Sequence, residues 1–143
     1  MKPLPLMFVG LALLFCNELL AQVCTLTVNV TGLRTNKGTL YVSLYNNCDG
    51  YPTQHAKAFR IAHTAVTGSK CTIMFEDVPE GVYALACYHD ENDNGKVDTN
   101  FLGIPKEGIG ASNNAKGFMG PPSFNNAQFK VTTNITQEIR LFY

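Results

Sequence analysis

The sequence predicts an all-β fold: a single antiparallel β-sandwich of six to seven strands, with one long ordered loop near residues 90–126. Three observations predict it. Period-two alternation recurs along the chain, as in strands with one face on a core and the other in water. No stretch after residue 22 carries a long helical pattern. The 143 residues, 45% hydrophobic and 15% charged, can bury one core and leave little room for two.

The first segment lies outside the predicted fold. Lys2 gives a positive start, residues 6–15 form an apolar run, and Leu19-Leu20-Ala21 places a small residue at a cleavage position. The run is too short for a comfortable membrane span. Cys16 follows Phe15, where a lipid-modified cysteine wants a small residue. The expectation is a signal peptide at 1–21 and a mature domain at 22–143, with no membrane span, exported to the periplasm or beyond.

The strands follow in order. Cys24, Leu26, Val28 and Val30 alternate with Thr25, Thr27, Asn29 and Thr31; after a Gly- and Asn-bearing turn at 32–38, Leu40, Val42 and Leu44 alternate with Tyr41, Ser43 and Tyr45. These two runs are expected to form an antiparallel hairpin. Residues 46–57 are irregular, with room for one helical turn, and 58–63 form a weak strand. Cys71, Ile73 and Phe75 mark a fourth run. Residues 82–89 are apolar on both faces, as in a central strand. Ala127, Phe129 and Val131, then Ile135, Ile139 and Leu141, complete the set.

Periodicity stops between Asp90 and Asn126. A loop this long inside a compact domain is usually functional or a linker. Phe101, Leu102, Ile104, Ile109, Phe118, Met119 and Phe124 are spread through it. A linker would not carry them, so the loop is expected to be ordered and those side chains packed.

Four cysteines follow the leader, and an even count in an exported domain favours disulfides. No pair has CxxC spacing, so a zinc knuckle or thioredoxin-type site is unsupported. Three connectivities exist for four cysteines. If Asp77-Val78-Pro79-Glu80-Gly81 is a hairpin turn, pairing Asp77 with Gly81 sets Cys71 opposite Cys87. That register pairs Cys71 with Cys87 and leaves Cys24 for Cys48.

Lys+Arg and Asp+Glu both number 11, so net charge is zero and nucleic-acid binding through a basic surface is excluded. Charge is uneven locally. From Glu76 to Glu107, eight acidic residues face only Lys96 and Lys106. That excess repels itself without a cation.

The one motif with chemistry opens the loop: Asp90-Glu91-Asn92-Asp93-Asn94-Gly95-Lys96-Val97-Asp98. It follows the first part of the D-x-[DN]-x-[DN]-G calcium loop. Calcium takes six to eight oxygens in a flexible shell. Alternate side chains at Asp90, Asn92 and Asn94 turn oxygens inward, and Gly95 permits the sharp bend. The candidate ligands are Asp90, Asn92, Asn94, the Lys96 carbonyl and Asp98, with Glu107 or Asn100 completing the shell. The twelfth position, Phe101, is not the bidentate Glu of an EF-hand, and no flanking helices are expected. A solvated turn without an ion uses the same residue types.

Other candidates carry less. His89 precedes Asp90, but no G-x-S-x-G element accompanies it, and a strand-end histidine is the plainer reading. His55 and His63 lie eight apart in a weakly structured region, which suits zinc poorly. Asp98 and Glu107 form a carboxylate pair of unknown separation. Tyr41, Tyr45, Tyr51, Tyr83 and Tyr88 could furnish a glycan platform or be ordinary strand residues.

The segment His89-Asp90-Glu91-Asn92-Asp93-Asn94-Gly95-Lys96-Val97-Asp98, then Phe101-Leu102-Gly103-Ile104-Pro105-Lys106-Glu107, Gly110, Ser112-Asn113-Asn114 and Gly120-Pro121-Pro122-Ser123-Phe124, resembles exported bacterial proteins of the domain of unknown function family 2141. The likeness extends through Val30-Thr31-Gly32-Leu33 and Gly81-Val82-Tyr83-Ala84, essentially the whole mature chain. It implies a single β-sandwich, immunoglobulin-like or transthyretin-like, in an envelope or secreted setting. It implies no established activity. The loop opening also resembles calcium loops in Cna-B-type adhesin repeats. Hydroxyisourate hydrolases, which share the transthyretin-like topology, end in Tyr-Arg-Gly-Ser, whereas this chain ends Leu141-Phe142-Tyr143. That speaks against their chemistry.

The expected function is an exported, non-enzymatic module. A calcium-stabilised loop serves binding of a protein or glycan ligand, or envelope structure. The alternative is a hydrolase at the loop mouth, using His89 with Asp98 or Glu107.

Overall fold

Alternating residues along each strand sort into a buried and a wet set, and two β-sheets close over the buried one. The computed structural model describes residues 21–143, so the expected leader lies outside the described residues except for Ala21. The elements are β1 (Val23–Thr31), β2 (Thr39–Tyr45), a 3-10 turn (His55–Lys57), β3 (Arg60–Ala65), β4 (Lys70–Pro79) and β5 (Gly81–Asp90). Then come β6 (Ile109–Ala111), a second 3-10 turn (Ser112–Asn114), α1 (Phe124–Ala127), β7 (Phe129–Val131) and β8 (Ile135–Arg140).

One sheet has the order β4-β1-β8; the other has β3-β2-β5-β6, with β7 also on β5. Leu26, Val28 and Val30 of β1, Leu40, Val42 and Leu44 of β2, Ile73 and Phe75 of β4, and Leu85 and Cys87 of β5 bury into one shared core. β5 is central as expected, between β2 on one side and β6 and β7 on the other. Its backbone N–H at Leu85 falls in the gap between β6 and β7. Ser112 Oγ accepts it at 2.9 Å, so a side chain completes the ladder.

Three expectations are corrected. The chain is not wholly antiparallel: β8 runs parallel to β1, Leu26 opposite Ile135 through Thr31 opposite Arg140. β1 and β2 do not form a hairpin. They lie in different sheets, and buried Leu33 occupies the crossing between them. β4 and β5 also separate. Cys71 sits opposite Val30 on β1, and Cys87 opposite Val42 on β2 and Gly110 on β6. The register behind the Cys71-to-Cys87 bridge is therefore absent, because buried Val78 on β4 and Tyr83 on β5 belong to two walls of the core. Cys24, Cys48, Cys71 and Cys87 are all unbridged, which also removes the Cys24-to-Cys48 pairing.

The outer face of the second sheet is covered rather than wet. Tyr51 from the 46–57 segment packs edge-on against Tyr45 and Phe124, and its hydroxyl donates to the Leu85 carbonyl at 3.1 Å. This covering buries Ser43, Ala84, Ala86 and Tyr88. At the open side, Arg60 on β3 reaches the carbonyls of Glu76 and Asp77 on β4, tying the two sheets together.

The 90–126 region is ordered and contains β6 and α1. Its apolar side chains are not all packed. Phe101, Leu102, Ile104, Phe118 and Met119 are exposed, while Ile109 and Phe124 are half-buried.

The cysteines give a direct check. Burial pushes the Cys87 thiol up to about 12 and also raises Cys71. Under native conditions Cys48 should be alkylated, while Cys24, Cys71 and Cys87 react only after unfolding. Mass spectrometry after denaturing alkylation without reductant should count four labels; two or none would show bridges.

Candidate metal centre

The loop begins where β5 runs out of core. Asp90, its last residue, is fully buried and lies opposite Thr39. Gly38 makes that approach feasible: a Cβ there would stand 2.1 Å from the Asp90 carbonyl oxygen, and its φ of +79° suits glycine. The Asp90 carboxylate cannot be left unpaired in the interior. Its Oδ1 accepts the Asn94 N–H at 3.1 Å and its Oδ2 the Gly95 N–H at 2.7 Å. Both bonds reach forward along the chain, so they bend it back over the strand end.

The next turns repeat the device. Asn92 Oδ1 accepts from Asn94 N at 3.2 Å, and Asn94 Oδ1 from Lys96 N at 3.1 Å. Gly95 takes a φ of +79° at the bend, and Asp93 a φ of 56°. Asn92 and Asn94 donate to Asp98 at 2.6 and 2.8 Å. Thus Asn92, Asn94 and Asp98 come together, with Asp90 holding the Asn94 and Gly95 amides beneath. Tyr88 donates to the Gly95 carbonyl at 3.3 Å, and Thr39 to Asp93 at 2.7 Å, which ties the turn to the second sheet.

Glu107 is placed differently from a ligand. It is buried, and its two oxygens accept the Glu91 and Asp98 N–H groups, each at 2.9 Å. It therefore clamps the two ends of the 91–98 turn. Lys96 faces solvent, leaving its carbonyl as the candidate donor. Among the described residues no three Asp, Glu, His or Cys side chains converge on one point. Any shell here needs amide and main-chain oxygens beside carboxylates, a donor set that suits a hard cation such as calcium and not zinc.

His89 is not at a solvent-facing mouth. It is fully buried, and its Nε2 lies 2.7 Å from the Lys37 carbonyl, which only accepts, so Nε2 carries the hydrogen. Nδ1 faces the Tyr143 hydroxyl at 3.5 Å and Glu91 Oε1 at 3.8 Å. Arg34 locks this corner. It forks onto Glu91 at 2.7 and 3.1 Å, donates to the Lys106 carbonyl and lies over the Tyr143 ring. The Glu91 hydrogen bond raises the Arg34 pKa above its ordinary value, consistent with a charge-assisted pair.

Sequence reasoning missed two features. The Arg34, Glu91 and Tyr143 corner joins residues distant in the chain, with no spacing signal. Ser43 and His55 also meet, Oγ to Nδ1 at 2.9 Å, with the His55 ring 5.0 Å from Tyr88. Burial lowers the His55 pKa. Ser43 is buried on β2, so this pair packs the covering segment. His63 packs at a tilt against Tyr41, ring centroids 5.5 Å apart, instead of joining His55 in a metal site.

Two outcomes follow. Glu107→Gln sets an amide donor against one of two N–H groups and should cost about 1–3 kcal/mol by urea unfolding. Amide exchange at Glu91 or Asp98 should rise more than in β1. Asp98 is held below the usual 3.8 first by the Asn94 hydrogen bond, then by Asn92. The unfolded chain therefore takes up its proton first. This stabilisation is complete above about pH 5 and is lost as pH falls through the lowered folded value. Asp98→Asn should flatten the acid limb of the stability curve and leave the neutral plateau's pH dependence unchanged.

Residues 28–139 fit the model of a family described as an uncharacterized protein conserved in bacteria, DUF2141. No curated protein matches significantly. No solved structure does either. The matched span covers β2 through β7 entirely, the second half of β1 from Val28 and all of β8 but Arg140, with the whole loop between them. The chain belongs to the DUF2141 family of bacterial proteins.

Proposed function

We propose that this protein is an exported, non-enzymatic β-sandwich module whose 90–108 loop is organised by calcium and acts as a binding element of the cell envelope. One observation carries the reading. Alternate oxygens of Asp90, Asn92 and Asn94 each accept a forward backbone N–H, and Gly95 takes the left-handed bend that follows. That is how a chain wraps a hard cation with successive oxygens. Asp90, Asn92, Asn94 and Asp98 would hold the ion with the Lys96 carbonyl, and Glu107 would brace the turn from below. Calcium would neutralise the acidic turn and raise the cost of opening it; this chain's residues supply the rest of its order.

Export rests on the leader pattern: Lys2, the apolar run and Leu19-Leu20-Ala21. Among the described residues no helix is long and apolar enough to cross a membrane. The sandwich reading rests on two sheets sharing one core. The hydrolase alternative has little support, because His89 is sealed and its Nε2 is committed to a carbonyl.

Calorimetric titration of the exported protein with calcium should show one site, in the range of about 10⁻⁴–10⁻³ M typical of extracellular modules. Melting temperature should rise with calcium, and Asp90→Ala should abolish both effects. No heat and no thermal shift at millimolar calcium would overturn the reading.

A further inference from the structure

The same turn contains the chain's one Asn-Gly step, Asn94-Gly95. Such a step can modify itself. Glycine has no Cβ to hold its main-chain nitrogen away from the preceding carboxamide. The glycine nitrogen bonds to the asparagine Cγ and the Cγ–Nδ2 bond breaks. The nitrogen's proton and the Nδ2 amide leave together as ammonia, and a cyclic imide remains. Water then opens the imide at either carbonyl, which leaves an aspartyl or an isoaspartyl residue. No oxidant or reductant takes part. Crowding gives Asn94 no shelter: both residues are exposed, and a Cβ on Gly95 would meet nothing within 4 Å.

Hydrogen bonds hold each reacting atom. The Gly95 N–H donates to Asp90 Oδ2 at 2.7 Å, Asn94 Nδ2 donates to Asp98 Oδ1 at 2.8 Å, and Asn94 Oδ1 accepts the Lys96 N–H at 3.1 Å. Ring closure removes the Gly95 proton and expels Nδ2, so it must forfeit the bonds to Asp90 and to Asp98. A carboxylate is too weak a base to take an amide proton, and its charge opposes an anionic nitrogen beside it. Asp90 is fully buried, where water screens that opposition least.

We propose that Asn94-Gly95 is a modification site whose rate is set by the turn. Closed, the turn preserves the Asn94 amide; open, it lets that amide be lost, and the product does not close again. An aspartyl product sets a carboxylate against Asp98 where Nδ2 now donates. It adds to Asp90, Glu91, Asp93 and Asp98, with Lys96 the one cation between residues 90 and 98. An isoaspartyl product inserts a main-chain carbon between positions 94 and 95, which spoils the spacing by which Asp90 reaches both amides. A transient opening thereby becomes a permanent one. The inference goes beyond the calcium reading and draws only on bonds among the chain's own residues.

The test is peptide mapping of the exported protein aged in chelator at mildly alkaline pH, folded and in guanidinium, with Asp98→Ala and Asn94→Gln beside it. Ageing in chelator keeps the result independent of calcium binding. Deamidation at position 94 should be at least about tenfold faster in guanidinium than in the folded chain, as for a reaction gated by local opening. Asp98→Ala, a change outside the core, should speed it in the folded protein with the melting curve still cooperative. Asn94→Gln should abolish it. Amide exchange at positions 94–96 should be faster in the aged, deamidated protein. Equal rates folded and unfolded would overturn the inference, as would a folded Asp98→Ala protein ageing no faster than the parent. An aged protein with unchanged exchange at 94–96 would overturn the permanent opening.

Discussion

A buried carboxylate at the end of the central strand governs the rest of the loop. Asp90 cannot remain unpaired in the interior, so its oxygens take the Asn94 and Gly95 amides and fold the following residues back on the strand end. Gly38 leaves the space in which this occurs. Glu107 then gathers the amides at Glu91 and Asp98, so both ends of the turn are held by one side chain. The residues beyond Asp98 follow a turn fixed by two buried acids.

Much of the strand content was legible. Leu26, Val28 and Val30 alternate with polar residues because one face of β1 meets the core, and the same rule finds β2, β4 and β8. The central place of β5 was legible from its continuous apolar run. Neighbours were not. Period two states which side of a strand faces inward and is silent about which strand lies beside it, so β1 with β2, and β4 with β5, were assigned to one sheet each when the chain crosses between two. The expected disulfides fell with that register.

The candidate site divides the same way. The Asp90, Asn92, Asn94 and Gly95 turn was readable because its hydrogen bonds are local and follow the spacing. The clamp at Glu107 and the Arg34 fork onto Glu91 depend on long-range packing, and composition offers no signal for either. The apolar tips were expected inside because burial is the usual fate of Phe and Leu. Phe101, Leu102 and Ile104 stand outside because Asn100 and Gly103 close their turn locally, before its side chains reach the core.

The central claim is that this turn places its oxygens around a cation. The most direct measurement is a crystal structure of the protein grown in calcium, with anomalous data collected to locate the metal. The account predicts an anomalous peak within about 2.3–2.6 Å of oxygens from Asp90, Asn92, Asn94, Asp98 and the Lys96 main chain. A turn with the same backbone, amides still on Asp98 and no peak at calcium levels far above those of the exported environment would contradict it.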